Sequence, residues 1–346
     1  MTDDFTLASL GWRPFFQQQL SHEEWELALP ARVLEQHRTE LELATEHGMQ
    51  ILAVTPSMPV LTVGDWVLLD ERRGFLRLLE RQSCFRRKAA GSKLAEQLLG
   101  ANVDSAFIVS SLNDDFNLNR IERYLSVVHN AGVEPVVVLT KLDICPDSAA
   151  LWQSVQDLDS LLCVTAVNAL SADSVAALEP WCRPGSTVVL LGSSGAGKST
   201  LSNTLMAEPR QRTRSIREDD AKGRHTTTRR SLLPLPGGAM IMDTPGMREL
   251  QLADCEEGIR ATFADIEELA GSCRFGDCHH DSEPGCAVRE AIEAGSLDER
   301  RLLNYRKLSR EQAFNSASLS QRRAGDRALG RFYKQVQKAS RDMKSK

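Results

Sequence analysis

The chain has 346 residues, of which 26% are charged and 42% hydrophobic, with a formal net charge of −5. That balance describes a globular protein of two or three domains and excludes a fibrous or low-complexity chain. The longest apolar runs are strand-sized and nothing resembles a signal peptide, so no membrane contact and a cytoplasmic location are expected.

Residues 1–29 read as amphipathic and helical, carrying Trp12, Phe15, Phe16, Leu20 and Trp25. Five short alternating segments follow: Ala31–Glu35, Leu41–Ala44, Ile51–Val54, Asp65–Leu69 and Phe75–Leu79. Gly48, Pro56, Pro59, Gly64 and Gly74 punctuate them. This spacing predicts a small β-barrel of the OB type, capped by the N-terminal segment, and such barrels often bind RNA or single strands. Residues 71–93 hold 8 Lys/Arg against 2 Asp/Glu, including Arg86-Arg87-Lys88, with Phe75 and Phe85 interleaved.

From Val103 the pattern changes to alternating strand and helix, which predicts a doubly wound, mostly parallel α/β domain. The strand Val136–Leu139 runs into Thr140-Lys141-Leu142-Asp143. This is close to the guanine-reading NKxD pattern, in which the Asp carboxylate accepts from guanine N1–H and the 2-amino group. Adenine lacks both donors, so a desolvated, unmatched carboxylate would reject it. The Lys141 stem would pack along the purine, and Thr140 stands where Asn is commoner. A further strand, Leu161–Thr165, ends at Thr165-Ala166, where a backbone N–H can reach guanine O6.

The most specific signal is Gly192-Ser193-Ser194-Gly195-Ala196-Gly197-Lys198-Ser199-Thr200, a GxxxxGK[ST] loop between the apolar run Ser186–Leu191 and a helix over Leu201–Met206. Its backbone N–H groups would cradle phosphates, Lys198 would reach the β and γ phosphates, and Ser199 would ligate Mg²⁺. A plain Gly/Ser turn is the alternative, and it does not explain the strand–loop–helix context. About fifty residues on, Asp243-Thr244-Pro245-Gly246 follows the run Ala239–Met242. Asp243 would hold Mg²⁺, and the Gly246 N–H would sense the γ-phosphate. Between them, Gly223-Arg224-His225-Thr226-Thr227-Thr228 offers Thr226 or Thr227 to complete the Mg²⁺ shell. The order is base motif, Ala loop, phosphate loop, switch Thr, DxxG, which is a circular permutation of the ordinary GTPase order. An ATP-using P-loop enzyme is the competing class, but it gives no reason for TKLD.

Cys273, Cys278, His280 and Cys286 are spaced C-x4-C-x-H-x5-C, with His279 as a competing imidazole. Three thiolates and one imidazole suit a closed structural Zn²⁺ site. The other cysteines, Cys84, Cys145, Cys163, Cys182 and Cys255, are scattered. Charge also divides here: residues 300–346 carry 14 Lys/Arg and 3 Asp/Glu, or +11, leaving −16 on residues 1–299. A basic, helix-compatible tail on an acidic body suggests a polyanion partner, and a solvated helical face is the plainer reading.

Barrel, permuted GTPase core and C-x4-C-x-H-x5-C domain together resemble the ribosome-small-subunit-dependent GTPase A (RsgA/YjeQ) family. Val63-Gly64-Asp65-Trp66-Val67, Arg87-Lys88-Ala89-Ala90-Gly91, the GRHTTT run and Cys273–Cys286 carry the resemblance, which covers nearly the whole chain. It implies a multidomain α/β protein with an N-terminal OB-like β-barrel (1–95), a circularly permuted P-loop GTPase domain (96–254) and a helical C-terminal zinc-binding domain (255–346). It also implies a late assembly factor that binds the small ribosomal subunit and its rRNA and hydrolyses GTP to GDP there, as a monomer. The position after DxxG, where many GTPases place a water-orienting Gln, is Met247. The resemblance offers His225 as the catalytic replacement beside Lys198, against the plainer reading of a solvated loop histidine. The second alternative class is a zinc-dependent RNA-binding module whose nucleotide site is regulatory.

Overall fold

The computed structural model describes residues 5–88, 96–207, 230–243 and 255–316. The N-terminal segment forms two short helices, α1 (Pro14–Gln17) and α2 (His22–Leu27). The break has a local cause. Ser21 starts a second helix with a capping box: its side chain accepts from the Glu24 N–H, and the Glu24 carboxylate accepts from the Ser21 N–H. Trp12 and Phe16 pack against Trp66 with ring centroids 4.9 and 5.7 Å away.

The strands β1 (Leu29–Gln36), β2 (Glu40–Thr45), β3 (Gly48–Ala53), β4 (Trp66–Leu69) and β5 (Phe75–Leu78) match the five alternating segments to within a few residues. β1 pairs antiparallel with β2 and with β4, β2 with β3, and β4 with β5. Ala31, Val33, Leu41, Leu43, Leu52, Val67 and Leu69 fill the interior they enclose. Between the inward Ala31 and Val33, Arg32 faces the other way and is also fully buried. Its guanidinium donates to the Leu10 carbonyl, to the Asn102 carbonyl at 3.0 Å and to Thr187 Oγ at 2.7 Å. One cation thus ties the N-terminal segment and the β1–β5 strands to the α/β sheet. Burial lowers its pKa to about 10, which leaves it charged at neutral pH.

A hairpin not foreseen from the sequence follows, β6 (Cys84–Lys88) with β7 (Glu96–Ala101). The α/β part runs β8 (Ser105–Ser111), α3 (Leu118–Asn130), β9 (Glu134–Thr140), α4 (Ser148–Gln156), β10 (Cys163–Ala166), α5 (Ala172–Val175), β11 (Thr187–Leu191), α6 (Lys198–Leu205), β12 (Arg230–Pro234) and β13 (Met240–Asp243). The parallel order is β10-β9-β8-β11-β13, with β12 antiparallel to β13. β12 also pairs with the end of β1 (Glu35 opposite Ser231, Gln36 opposite Arg230), so the two sheets run on as one. Chain direction across the sheet reverses between β8 and β11. The crevice beyond the carboxyl ends of those two strands is where ligands bind in such sheets.

The C-terminal part is helical: α7 (Glu256–Thr262), α8 (Ala264–Ala270), α9 (Ala287–Glu293) and α10 (Glu299–Ser316). Its joint with the α/β part combines an apolar contact of α7 on α3, through Ile259 and Phe263 with Ile121, Leu125 and Val128, with an ionic cluster. Glu122 on α3 has no solvent exposure and accepts from Arg300, Arg301 and Asn304 on α10. Arg301 also pairs with Asp265 and donates to the Thr262 carbonyl. Every charge there is matched, as burial requires.

Candidate nucleotide-binding site and metal centre

The phosphate loop joins β11 to α6, and the helix begins at Lys198, three residues earlier than the sequence pattern suggests. The loop closes through left-handed backbone at Gly197 (φ +95°), so Lys198, Ser199 and Thr200 form the first helical turn. Gly192 is required by space: a Cβ there would lie 2.2 Å from the Val109 carbonyl oxygen on β8. The loop can therefore pass close over the neighbouring strand. Lys198 Nζ donates to the Gly192 carbonyl at 2.7 Å and to that of Ser193, so its ammonium is folded over the loop. Ser193 and Ser194 are more open, and Ala196 is buried.

Thr140 ends β9 and is fully buried. Its hydroxyl donates to the Ala196 carbonyl at 2.6 Å. The short Thr140 side chain thus bridges the Thr140–Asp143 loop to the Gly192–Thr200 loop. Lys141 takes left-handed backbone (φ +62°) and turns the chain out of the sheet, with Leu142 and Asp143 in a short 3-10 turn. Asp143 is exposed. The desolvation that would penalise a wrong base must therefore come from the purine itself. Thr165 and Ala166 end the adjacent strand β10. The next residue, Val167, donates to the Leu139 carbonyl at 2.8 Å and accepts from the Leu142 N–H at 3.4 Å. Thr204 on α6 donates to the Ala169 carbonyl at 2.7 Å. Base motif, Ala loop and phosphate-loop helix are thereby cross-linked.

Asp243 ends β13, next to β11, so its carboxylate and the Ser199 hydroxyl belong to the same sheet edge. Oxygen donors of this kind suit the hard cation Mg²⁺. His225, Thr226, Thr227 and Gly246 lie outside the described residues.

Sequence reasoning missed Asp115. Ser193 Oγ donates to Asp115 Oδ2 at 2.9 Å, and Arg120 Nη1 donates to the same oxygen at 2.7 Å. The Arg120 bond holds this carboxyl below the usual carboxylate range. The signal was its place just after β8, the other strand flanking the crevice.

The Thr140 bridge has a measurable consequence. Thr140→Val keeps the shape and removes the donor, leaving a buried carbonyl unpaired. GTP affinity should fall about 10-fold in a titration with a fluorescent GTP analogue, and Thr140→Ser should retain it. Equal affinity in the Val variant would mean that the bridge carries nothing.

In the C-terminal part the ligand atoms of Cys273, Cys278, His280 and Cys286 all lie within 4.8 Å of one another. The Cys273 and Cys286 sulfurs are 3.9 Å apart, and His280 Nδ1 is 3.6 and 3.4 Å from them. Tetrahedral zinc, with bonds of about 2.3 Å to sulfur and 2.0–2.1 Å to nitrogen, needs edges of about 3.8 and 3.6 Å. The donors fit such an ion. His280 is buried with left-handed backbone (φ +60°), whereas its neighbour His279 is exposed. Burial pulls the His280 pKa below the ordinary histidine value, which favours the neutral ligand form. Glu283 accepts from the N–H groups of His279, Asp281 and Ser282, and these bonds hold its carboxyl down at about 2. Arg306 on α10 donates to the His279 carbonyl at 2.9 Å and pairs with Asp281, tying the loop to the helix.

Comparison with known proteins agrees with this geometry. Residues 78–253 match the family model described as RsgA GTPase. A small ribosomal subunit biogenesis GTPase RsgA 2 of Vibrio vulnificus is 57% identical over 341 residues, covering 99% of this chain and 98% of that protein. A small ribosomal subunit biogenesis GTPase RsgA of Xylella fastidiosa is 52% identical over 292 residues, covering 82% and 85%. The crystal structure of YjeQ from Thermotoga maritima superposes with a TM-score of 0.60 at 23% identity, covering 82% of this chain and 97% of that one. That of YloQ, a circularly permuted GTPase, gives 0.60 at 21% identity, covering 84% and 97%. At these identities the two structures speak to the fold. The motif order along the chain, the strand order and the relatives of known name agree: this chain is a circularly permuted GTPase of the RsgA family.

Proposed function

We propose that the chain is a GTP hydrolase acting in late maturation of the small ribosomal subunit, binding its rRNA and stimulated by the subunit. One observation carries the reading: the phosphate loop, the base loop and Asp243 meet at one sheet edge, in a chain of which nearly the whole length aligns with a protein named for this work. Turnover of GTP with and without purified small subunits tests it. A rate that does not respond to subunits would leave only a regulatory nucleotide site.

The roles rest on the sequence motifs and, for the described residues, are supported by where the fold puts them. The Gly192–Gly197 backbone and Lys198 would grip the phosphates, and Asp143 with Lys141 and the Thr165-Ala166 loop would read guanine. Mg²⁺, held by Ser199, Asp243 and Thr226 or Thr227, supplies charge neutralisation on the phosphates. Gly246 would report the γ-phosphate, and His225 would align the attacking water that Met247 cannot. The strand set β1–β5 is taken as an OB-like barrel within residues 1–95, residues 96–254 as the GTPase unit and residues 255–346 as a zinc-binding unit. Barrel, zinc unit and basic tail are the surfaces suited to rRNA. The protein would work in the cytoplasm as a monomer. No described helix is long and apolar enough to cross a membrane.

Base choice is testable at Asp143. Asp143→Asn should shift preference from GTP towards xanthosine triphosphate, by the about 10-fold or more that matched hydrogen bonds confer. A competition assay in which the variant still prefers GTP would remove TKLD as the base reader.

A further inference from the structure

A groove of about 540 Å³ lies between α2 and the turn joining β4 to β5, within the range of binding clefts, roughly 300–1,000 Å³. Its floor is apolar. Leu27 and Leu76 line it while remaining 52% and 48% exposed. Its rim is acidic on both sides: Glu23 and Glu24 come from α2, Asp70 and Glu71 from the turn, and Arg72 is the one lining cation. Arg77 spans from β5 to both carboxylate oxygens of Glu24, at 2.6 and 2.9 Å, and to the Gln19 carbonyl at 2.7 Å. That pairing neutralises Glu24 and fixes one wall against the other. Asp70 Oδ1 accepts the Arg72 and Gly74 N–H groups, which sets the turn. Glu23 and Glu71 have no ionic partner among the described residues.

Two half-exposed aliphatic side chains beside Glu23, Asp70 and Glu71, with Glu24 neutralised by Arg77 and Arg72 as the one lining cation, leave a surface of net negative charge that attracts ammonium and guanidinium groups. Lysine and arginine lay apolar stems along a floor of this kind while their charged heads reach the rim. We propose that this groove docks a Lys/Arg-rich peptide segment with an aliphatic anchor, presented by a basic protein partner. The proposal concerns a face built from α2 and the β4–β5 hairpin and stands apart from the nucleotide reading.

The test uses the full chain and a fluorescein-labelled peptide, Lys-Arg-Lys-Leu-Lys-Arg-Lys, followed by fluorescence anisotropy at roughly 0.1 M salt, where charges across the groove still interact. Reversing two exposed charges with Glu23→Lys and Glu71→Lys should weaken the peptide about 10-fold. Replacing its leucine by serine should weaken it about 5-fold, because the floor then gains no apolar cover. GTP affinity, measured on the same double variant, should be unchanged and reports intact folding. Equal peptide affinity in wild type and variant would overturn the proposal, since the acidic body would then be binding the peptide elsewhere. An indifferent leucine would overturn it too, leaving only diffuse charge attraction.

Discussion

Lys198→Ala is expected to lower GTP affinity by about 100-fold, whereas His225→Ala is expected to leave affinity intact and to lower subunit-stimulated turnover by roughly 10- to 1000-fold. The two residues are asked for different things. Lys198 opens α6 directly after the loop, and its ammonium already makes two bonds to loop carbonyls, Gly192 and Ser193. A nucleotide would exchange those neutral acceptors for charged phosphate oxygens, and charge-assisted bonds are about twice as strong. Losing that cation therefore weakens the ground state. The rest of the grip stays in place: Gly192 over Val109, and Thr140 on the Ala196 carbonyl. His225 is proposed to touch only the attacking water, so its loss should appear in turnover and not in binding. Equilibrium binding and single-turnover hydrolysis on saturating subunits separate the two. A His225→Ala protein that turns over at the wild-type rate would assign the water to another group. A Lys198→Ala protein that binds GTP normally would displace the Gly192–Thr200 loop as the phosphate site.

What could be read beforehand follows from where each element buries its surface. The parallel strands β8, β9 and β11 are covered on both faces, so they are written as unbroken runs such as Val136-Val137-Val138-Leu139, visible without partners. The β1–β5 segments were legible from their short length and the turn residues between them, although β1 and β4 are buried on both faces, with Arg32 and Trp66 turned away from the Val33 and Val67 side. β6 could not be seen. Cys84-Phe85-Arg86-Arg87-Lys88 puts charges on successive residues, and its pairing with β7 depends on a partner about a dozen residues away. β12 was hidden in the same way, as a short strand whose place is set by β13 and β1. At the candidate nucleotide site the strand–loop–helix around Gly192 to Lys198 was legible because the glycine spacing is a requirement of the loop's own backbone. Asp115 and the Thr140 bridge were not, because each acts on a segment more than fifty residues away in the chain. The sequence favours His280 over His279, and the structure adds a backbone reason for that choice. It rests on one backbone angle, the left-handed turn that sends the second imidazole inward.

That choice sharpens the zinc expectation. Elemental analysis of the full chain should find one zinc per molecule. His280→Ala and Cys286→Ser should each reduce zinc affinity by more than the roughly 10- to 100-fold that altering an outer-shell partner costs. His279→Ala should not, because His279 serves the loop only through its backbone: its N–H donates to Glu283, and its carbonyl accepts from Arg306. The damage should spread beyond the loop. Metal-binding energy in small sites of this kind is folding energy, about 10–16 kcal/mol in isolated zinc-finger peptides. Here the loop is anchored to α10 through Arg306, and α10 in turn is anchored to α3 through Arg300, Arg301 and Asn304 around the buried Glu122. Chelation should therefore expose α9 and α10 to proteolysis first, with the cut sites mapping C-terminal to Cys273. The α/β part should persist and still bind GTP, since its core strands and the Thr140–Ala196 bridge do not involve the loop. A well-folded full-length chain without zinc, or a His279→Ala variant that loses it while His280→Ala keeps it, would refute this ligand set.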